Sequence, residues 1–224
     1  MDSQKVEVSI LLVSKRGPIY FQQLIDSLKK TCSNPKKVEI LCKLDTEDCV
    51  WEEQYINIAK VSGFICKVFI SPQGRGYFDS HIFVNMLADL VVGENIWIVG
   101  DRTKVIYGDW LSVFKKYRNK YSDNIYLLHI INSSTPRSLP APILSKEWIK
   151  FFGNISPIVP VDSYLFSLAV KIGRKIMIND VCIEVPTKRS TDRLSKRKID
   201  YGEFKRNVEI ESCKSYEIWC KKSH

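Results

Sequence analysis

Residues 6–48 have the sequence VEVSILLVSKRGPIYFQQLIDSLKKTCSNPKKVEILCKLDTED. Residues 6–13 form an apolar run rich in β-branched side chains, which is typical of a parallel strand covered on both faces. Residues 19–30 carry apolar side chains with the period of a helix, and residues 38–44 form a second apolar run. This order of strand, helix and strand favours an α/β domain of the nucleotide-binding kind.

Polar residues follow the predicted strands at the points where such a domain binds its ligand. A right-handed crossover places the two strands side by side, with their carboxyl ends at one edge of the sheet. Ligands of open α/β sheets bind at that edge. Ser14 follows the first strand, Asp45 follows the second, and Asp101 follows a later strand at residues 95–99. We therefore expect these three side chains near a bound ligand.

The rest of the chain alternates between predicted helices and predicted strands. Further helices are predicted at residues 51–62, 78–92, 109–121, 145–152 and 162–172. Further strands are predicted at residues 64–70, 95–99, 125–131 and 177–185. Beyond Pro186 the composition changes to Lys, Arg, Ser and Asp. We therefore predict one domain at residues 1–186 and a basic C-terminal extension at residues 187–224.

The composition fits a folded domain and leaves several partners open. Hydrophobic residues make up 45% of the 224 residues, which is enough for a core. Seven cysteines without a CxxC pair favour free thiols over disulfides or zinc. No apolar run approaches the roughly 20 residues that cross a bilayer, and the start MDSQKVE is not a signal peptide, so we expect a cytoplasmic protein. The net charge of +9 predicts attraction to nucleotide phosphates, nucleic acid or an anionic membrane surface.

Two basic segments have both a functional and an ordinary interpretation. Gly74, Arg75 and Gly76 lie between a predicted strand and a predicted helix, where backbone amides and a guanidinium can approach a phosphate. An ordinary turn explains the same residues. The basic residues of segment 188–206 fit either a solvated tail or a surface that binds phosphate or a membrane.

The motifs follow an order that resembles family-2-type glycosyltransferases of the GT-A fold, which use nucleotide-diphosphate sugars. The resemblance covers residues 6–185 and lies in four segments: VSILLVSKRGP, SLKKTCSNPKKVEILCKLDTED, GRGYFDSHIFVNMLADLVVGENIWIVGDR and PVDSYLFSLAVKIGRKIMINDVCIEV. It implies a single GT-A (Rossmann-like) domain with a central, mostly parallel sheet flanked by helices. The implied activity is transfer of a sugar from a nucleotide-diphosphate donor to a saccharide or lipid-linked acceptor.

The resemblance also implies which residues hold the donor. Ser14 and Arg16 would lie near the nucleobase, in the loop that follows the first strand. Asp45 would bind the base or the ribose, although a helix N-cap is an ordinary explanation for it. Arg75 would lie near the donor. Among other partners, a peripheral membrane contact is one option, and nucleic acid is disfavoured.

Two further aspartates would serve the reaction itself. Asp101 stands at the position of the family's metal-binding carboxylates and would hold Mn²⁺ or Mg²⁺, which offsets charge on the leaving diphosphate. Asp162 would be the general base that takes a proton from the acceptor hydroxyl. An acid stabilised by the helix dipole is the ordinary explanation for Asp162.

The chain departs from the family at the end of the 95–99 strand. The family has two aspartates there, whereas Asp101 is followed by Arg102 and Thr103. A single carboxylate is a poor site for Mg²⁺ or Mn²⁺ unless diphosphate oxygens and waters complete the shell. Either Arg102 pairs with the diphosphate directly, or the domain has lost catalysis and kept its fold.

Other functions stand beside the glycosyltransferase. A catalytically inactive GT-A-like binding module would explain the single aspartate. A nucleic-acid-binding protein would explain the charge, but aromatic residues are not interleaved with basic ones as they are in RNA-binding signatures. A nucleotidylyltransferase is disfavoured, because SKRGP stands where that class has a glycine-rich loop.

Overall fold

The structure is a computed structural model that describes residues 5–134, 139–186 and 201–223. Its strands are β1 (Val8–Val13), β2 (Val38–Asp45), β3 (Ile65–Ser71), β4 (Asn95–Val99), β5 (Lys104–Tyr107), β6 (Leu127–Asn132), β7 (Ile143–Ser145) and β8 (Lys175–Glu184). Its helices are α1 (Pro18–Lys30), α2 (Glu52–Val61), α3 (Ser80–Ala88), α4 (Trp110–Tyr117), α5 (Lys146–Phe152), α6 (Val161–Lys171) and α7 (Tyr201–Lys222). Short 3-10 turns lie at Pro35–Lys37, Thr46–Trp51 and Gly76–Asp79.

The strands form one eight-stranded sheet in the order β3-β2-β1-β4-β7-β6-β8-β5. The first four strands in this order are parallel to one another. β7 is antiparallel to both β4 and β6, β8 is parallel to β6, and β5 is antiparallel to β8. β6 and β8 therefore run in the same direction as the first four strands. The predicted α/β class, with a mostly parallel sheet flanked by helices, is confirmed.

Helices cover both faces of the sheet. Successive residues of a strand point to opposite sides, and since the central strands carry apolar residues on both sides, both faces need covering. On one face, Leu12 belongs to a cluster that contains buried residues of α1, α2 and α4. On the other face, Leu11 belongs to a cluster that contains buried residues of α3, α5 and α6. Trp97 of β4 anchors the first cluster, since its ring lies 5.2 Å from the rings of both Trp110 and Phe114. The sheet is thus fixed between two hydrophobic cores.

The last helix, α7, packs on α6. The hydroxyls of Tyr164 and Ser215 are hydrogen-bonded at 2.7 Å, and the ring of Trp219 lies 5.1 Å from that of Phe151. The sequence predicted a basic extension here but not this helix. The segment is mostly polar, and the few side chains that pack on the domain do not form a recognisable apolar pattern. The basic residues of segment 188–198 lie outside the described residues, and the division at residue 186 stays a prediction. Neither α7 nor any other described helix has both the length and the hydropathy that crossing a bilayer requires.

The other predicted elements are present, with corrections at their ends and two short strands added. β5 lies at the edge of the sheet with three of its four residues exposed, and β7 has only three residues, so neither forms an apolar run. The helix predicted to reach residue 92 ends at Ala88. Beyond it, the N–H groups of Val92 and Gly93 donate to side chains of Glu39 and Ser9, which draws this segment onto the strands.

Candidate functional site

The carboxyl ends of β1, β2 and β4 meet at one edge of the sheet, as the sequence predicts. β1 lies between β2 and β4 and is parallel to both. Ser14, directly after β1, contacts Asp101, which lies just beyond β4. Asp45, the last residue of β2, contacts the side chain of Lys15 in the same loop as Ser14. The three predicted residues therefore belong to one site, which contains two clusters of polar contacts.

The Asp101 cluster consists of Tyr55, Ser14, the backbone of Lys15 and Asp101. The hydroxyl of Ser14 donates to Oδ1 of Asp101 at 2.5 Å, and the backbone N–H of Lys15 donates to Oδ2 at 2.9 Å. Ser14 and Tyr55 are joined at 2.7 Å. Because Ser14 gives its hydrogen to Asp101, Tyr55 donates to Ser14. Asp101 is thus an acceptor that holds the start of the loop between β1 and α1.

Burial controls the protonation of this cluster. It raises the pKa of Asp101 above the ordinary value for an aspartate, and the donors Ser14 and Lys15 offset only part of that rise. Burial also raises the pKa of the Tyr55 hydroxyl. Tyr55 therefore stays a neutral donor in the physiological range, which suits its place at the start of the hydrogen-bonded chain.

The Asp45 cluster consists of Asp45 and two lysines. Asp45 is 3% exposed, and its Oδ2 lies 2.9 Å from Nζ of Lys15, while its Oδ1 contacts Nζ of Lys43. Lys43 is fully buried. Its ammonium also donates to the carbonyl of Pro72 at 3.2 Å and lies 4.0 Å from the ring centroid of Phe83. These contacts offset the desolvation of a buried charge, which is costly unless it is paired and hydrogen-bonded.

The sequence prediction missed Lys43, Tyr55 and the side chain of Lys15. Lys43 had a signal, because it is a cation within the apolar run of residues 40–44 and stands two positions before Asp45, on the same side of β2. Tyr55 had no such signal, because it occupies an ordinary buried position on the inner face of α2.

Two predicted arginines lie beside the Asp101 cluster in the sequence. Arg16 is exposed, with its guanidinium carbon 5.6 Å from the ring centroid of Tyr20, and Arg102 is half-buried.

Arg75 lies in a turn that is built around Asp79. Its guanidinium donates to Oδ1 of Asp79 from Nε at 2.9 Å and from Nη2 at 2.7 Å, and its backbone N–H donates to Oδ2 at 2.7 Å. Arg75 holds the pKa of Asp79 below the usual range. Gly74 adopts φ +56°, and an added Cβ would lie 2.7 Å from Oδ2 of Asp79, so glycine is required there. The Arg75 side chain is 70% exposed, and its role toward a donor stays a prediction.

Asp162 lies in the first turn of α6, towards the same edge of the sheet. α6 leads into β8, which runs parallel to β1, so the helix begins near the carboxyl ends of the strands. The backbone N–H of Ser163 donates to Oδ1 of Asp162 at 2.8 Å, and burial raises the pKa of this carboxyl. Asn85 of α3 fixes the loop before α6, because it donates to the carbonyl of Ser156 at 2.7 Å and accepts from the N–H of Ile155 at 2.9 Å. The base role of Asp162 stays a prediction.

The residues at this edge do not fit a protein-held divalent ion. Both oxygens of Asp101 already accept hydrogen bonds from the loop that starts at Ser14. Thr103, at the position after Arg102, is buried, and its hydroxyl accepts from the N–H of Gly100 at 3.2 Å. Within the described parts of the chain, no group of three or more His, Cys, Asp or Glu residues could hold a metal.

Solved structures of similar fold are known glycosyltransferases. A mannosyltransferase from Pyrobaculum calidifontis, PcManGT, was solved with GDP-Man and Mn²⁺. It is 11% identical with a TM-score of 0.64, and the match covers 83% of this chain and 59% of PcManGT. S. aureus TarS 1–349, solved with UDP-GlcNAc, is 16% identical with a TM-score of 0.70, and the match covers 92% of this chain and 66% of the TarS chain. The same TarS segment solved with UDP is 14% identical with a TM-score of 0.63, and the match covers 80% of this chain and 61% of the TarS chain. No family model and no curated protein matches the sequence.

These likenesses show the fold. The chain has the GT-A-like architecture of these nucleotide-sugar glycosyltransferases, so the fold that the resemblance implied is confirmed. The chain spans between 59% and 66% of the length of these three structures.

Proposed function

We propose that this chain is a glycosyltransferase that moves a sugar from a nucleotide-diphosphate donor to a saccharide or lipid-linked acceptor. The observation that carries the proposal is the pair of clusters around Asp45 and Asp101. They lie at the carboxyl edge of the sheet, where open α/β folds bind ligands, and the fold is shared with transferases of this class. A cytoplasmic location or a membrane surface, where a lipid-linked acceptor would lie, stays a prediction.

The donor site follows from the loops at this edge. Asp45 would accept an N–H of the base or a hydroxyl of the ribose, after the ammonium of Lys15 moves aside. Arg16 and Arg102 flank the Asp101 cluster, where their guanidinium groups would offset the charge of the diphosphate. Arg75 would approach the donor from the turn after β3. The expected Mn²⁺ or Mg²⁺ enters the proposal only as a condition of the experiments, because no group of three or more His, Cys, Asp or Glu among the described residues could hold it.

The acceptor side follows from α6. Asp162 would take the proton of the acceptor hydroxyl. The oxygen of that hydroxyl would then bond to the anomeric carbon of the sugar, while the bond from this carbon to the diphosphate breaks. Burial raises the pKa of Asp162, which brings its basicity closer to the pH at which it acts. The hydrogen bonds of Asn85 to residues 155 and 156 would hold the entrance to α6 in place.

The test starts with ligand binding and proceeds to turnover. Thermal unfolding of the chain would be followed with UDP, GDP, CDP, dTDP and their common sugar conjugates, with EDTA, Mg²⁺ or Mn²⁺, since a ligand of the folded state raises its apparent stability. For the donor that binds, release of nucleoside diphosphate would be measured for wild type, Asp162→Asn and the exposed control Asp26→Asn. We expect a loss of about 100-fold for Asp162→Asn alone. No stabilisation by any nucleotide would refute the proposal.

A second candidate is a catalytically inactive GT-A-like binding module. It is favoured by the Asp101 cluster, in which the only aspartate at the end of this strand is engaged by the protein's own donors. Such a module would bind nucleotide but release no nucleoside diphosphate from a nucleotide sugar. Turnover that Asp162→Asn abolishes would exclude it.

A further inference from the structure

We infer that this chain binds its nucleotide-diphosphate ligand without a divalent cation, and that Asp101 is a positioning residue for the loop between β1 and α1. The inference rests on the proposed function and specifies how its donor site handles phosphate charge. It departs from the PcManGT structure, which was solved with Mn²⁺.

The hydrogen bonds of Asp101 argue against a metal ligand. A cation on either oxygen would have to share it with a hydrogen bond, from the hydroxyl of Ser14 on Oδ1 or from the N–H of Lys15 on Oδ2. Ser14 is fully buried and also accepts from Tyr55, so its displacement would leave two buried hydroxyls without their partners. Buried donors left unpaired cost more free energy than the bond itself contributes. The cluster is therefore more stable when Asp101 is hydrogen-bonded to the loop than when it binds a cation.

Two other carboxylates at this edge of the sheet are also engaged. Asp45 lies between the ammonium groups of Lys15 and Lys43, and Asp79 is bound by the guanidinium of Arg75. A second carboxylate beside Asp101 would be the usual partner for an ion, but a cationic side chain occupies that position. An ion would therefore find a single carboxylate at this strand end, and the loop already shares that carboxylate.

Cationic side chains can supply the charge that the ion would supply. Lys15 and Arg16 lie on the loop that Asp101 holds, and Arg102 follows Asp101 directly. A guanidinium donates two parallel hydrogen bonds to phosphate oxygens, so two of them with one ammonium suit a diphosphate. In this arrangement Asp101 acts through the loop, because it fixes the backbone that presents Lys15 and Arg16.

The decisive measurement is calorimetric titration of the full chain with UDP, GDP, CDP and dTDP, each in EDTA and in Mn²⁺. We expect the Kd of the ligand that binds to agree within about twofold between the two conditions. Binding that is at least about tenfold tighter in Mn²⁺ would overturn the inference and leave the proposed function in place. Absence of binding in both conditions would overturn the inference together with the proposed function.

Variants separate a positioning residue from a metal ligand. Asp101→Asn should weaken binding by the same factor in EDTA and in Mn²⁺, whereas loss of a metal ligand would weaken it only in Mn²⁺. Should that variant not fold, Arg102→Gln should weaken binding about tenfold in EDTA, while the exposed control Lys36→Gln leaves it unchanged.

Arg102→Asp tests the same idea in the opposite direction, because it places two carboxylates at the strand end. We expect it to lose binding in EDTA and to regain part of it in Mn²⁺. Binding in EDTA as tight as that of wild type would contradict the assignment of Arg102.

Discussion

Asp45 and Asp101 lie at the same edge of the sheet, one at the end of β2 and the other just beyond β4, and the protein holds them in different ways. Asp45 lies between two ammonium groups, one of them fully buried. Asp101 accepts from a hydroxyl and a backbone N–H; burial raises its pKa, and these donors together with the charge of Arg16 offset only part of that rise. Equivalent positions in the topology thus carry different electrostatics. The position of an acid at a strand end predicts that it belongs to a site, but not what it does there.

The largest effect is expected on the Asp45 side, from Lys43→Met. Methionine keeps most of the packing on Phe83 but leaves Asp45 with Lys15 alone, and breaking a buried ion pair costs about 3 kcal/mol of the free energy of unfolding. Urea unfolding would measure it. The double variant Lys43→Met with Asp45→Leu serves as the control, because an apolar pair of similar volume should recover most of the loss. A single variant as stable as wild type would mean that the buried pair contributes nothing.

A smaller loss is expected on the Asp101 side, from Ser14→Ala. The substitution removes a donor to Asp101 and an acceptor from Tyr55, so it should cost about 2 kcal/mol of the free energy of unfolding. Tyr55→Phe is the matched control and should cost about 1 kcal/mol, since it removes only one hydrogen bond of the chain. Equal losses for the two variants would mean that the hydrogen bond from Ser14 to Asp101 contributes nothing to stability.

The pH dependence of Asp101→Asn sharpens the contrast further. The folded-state pKa of Asp101 lies above its value in the unfolded chain, because of burial. Its contribution to stability is therefore fully present below about pH 4 and is lost as the pH rises through the folded-state pKa. The stability of wild type minus that of the asparagine variant should fall over this window, by about 1.4 kcal/mol for every pH unit that separates the folded-state pKa from the unfolded-state pKa. Urea unfolding of both proteins between about pH 3.5 and 7 would measure it, and a difference that grows with pH would reverse the assignment.

The smallest effect is expected from Lys15→Met, which removes the outer cation of the Asp45 cluster. The side chain of Lys15 is 37% exposed, so solvent screens its ion pair and we expect a loss of about 0.5 kcal/mol. The loss should shrink further in about 1 M NaCl, whereas that of Lys43→Met should persist. Urea unfolding at two salt concentrations would compare them, and equal losses would mean that burial does not distinguish the two lysines.

Most of the architecture was predictable because buried strands and amphipathic helices have periodic apolar residues. The strand predicted at residues 95–99 coincides with β4, and the first βαβ unit agrees with the structure to within two residues at each end. β5 was not predictable, because an edge strand packs on one side only and most of its residues face solvent. α7 was not predictable as part of the packed structure, because only scattered residues such as Ser215 and Trp219 mark its inner face.

The site was predictable in its positions and less so in its contacts. Topology alone brings the residues after parallel strands to one edge, which placed Ser14, Asp45 and Asp101 together. Their partners depend on the direction of side chains and on the pleat of the sheet, which a single sequence does not encode in an obvious way. Tyr55 reaches Ser14 only because α2 packs on that face. The roles of Arg102 and Asp162 remain predictions that the experiments above address, and the roles of Arg16 and Arg75 also stay predictions.

The place of β5 at the outer edge of the sheet imposes an order on folding. β5 comes from the middle of the chain but pairs with β8, which is synthesised after α6. Such distant pairing must close a long loop before its hydrogen bonds form, which slows folding. On the ribosome, β1 to β4 can assemble first, while the edge that receives β7, β6 and β8 stays open. A pause in translation ahead of β8 would therefore leave β5 and β6 without their partner strand for longer, which promotes aggregation of nascent chains.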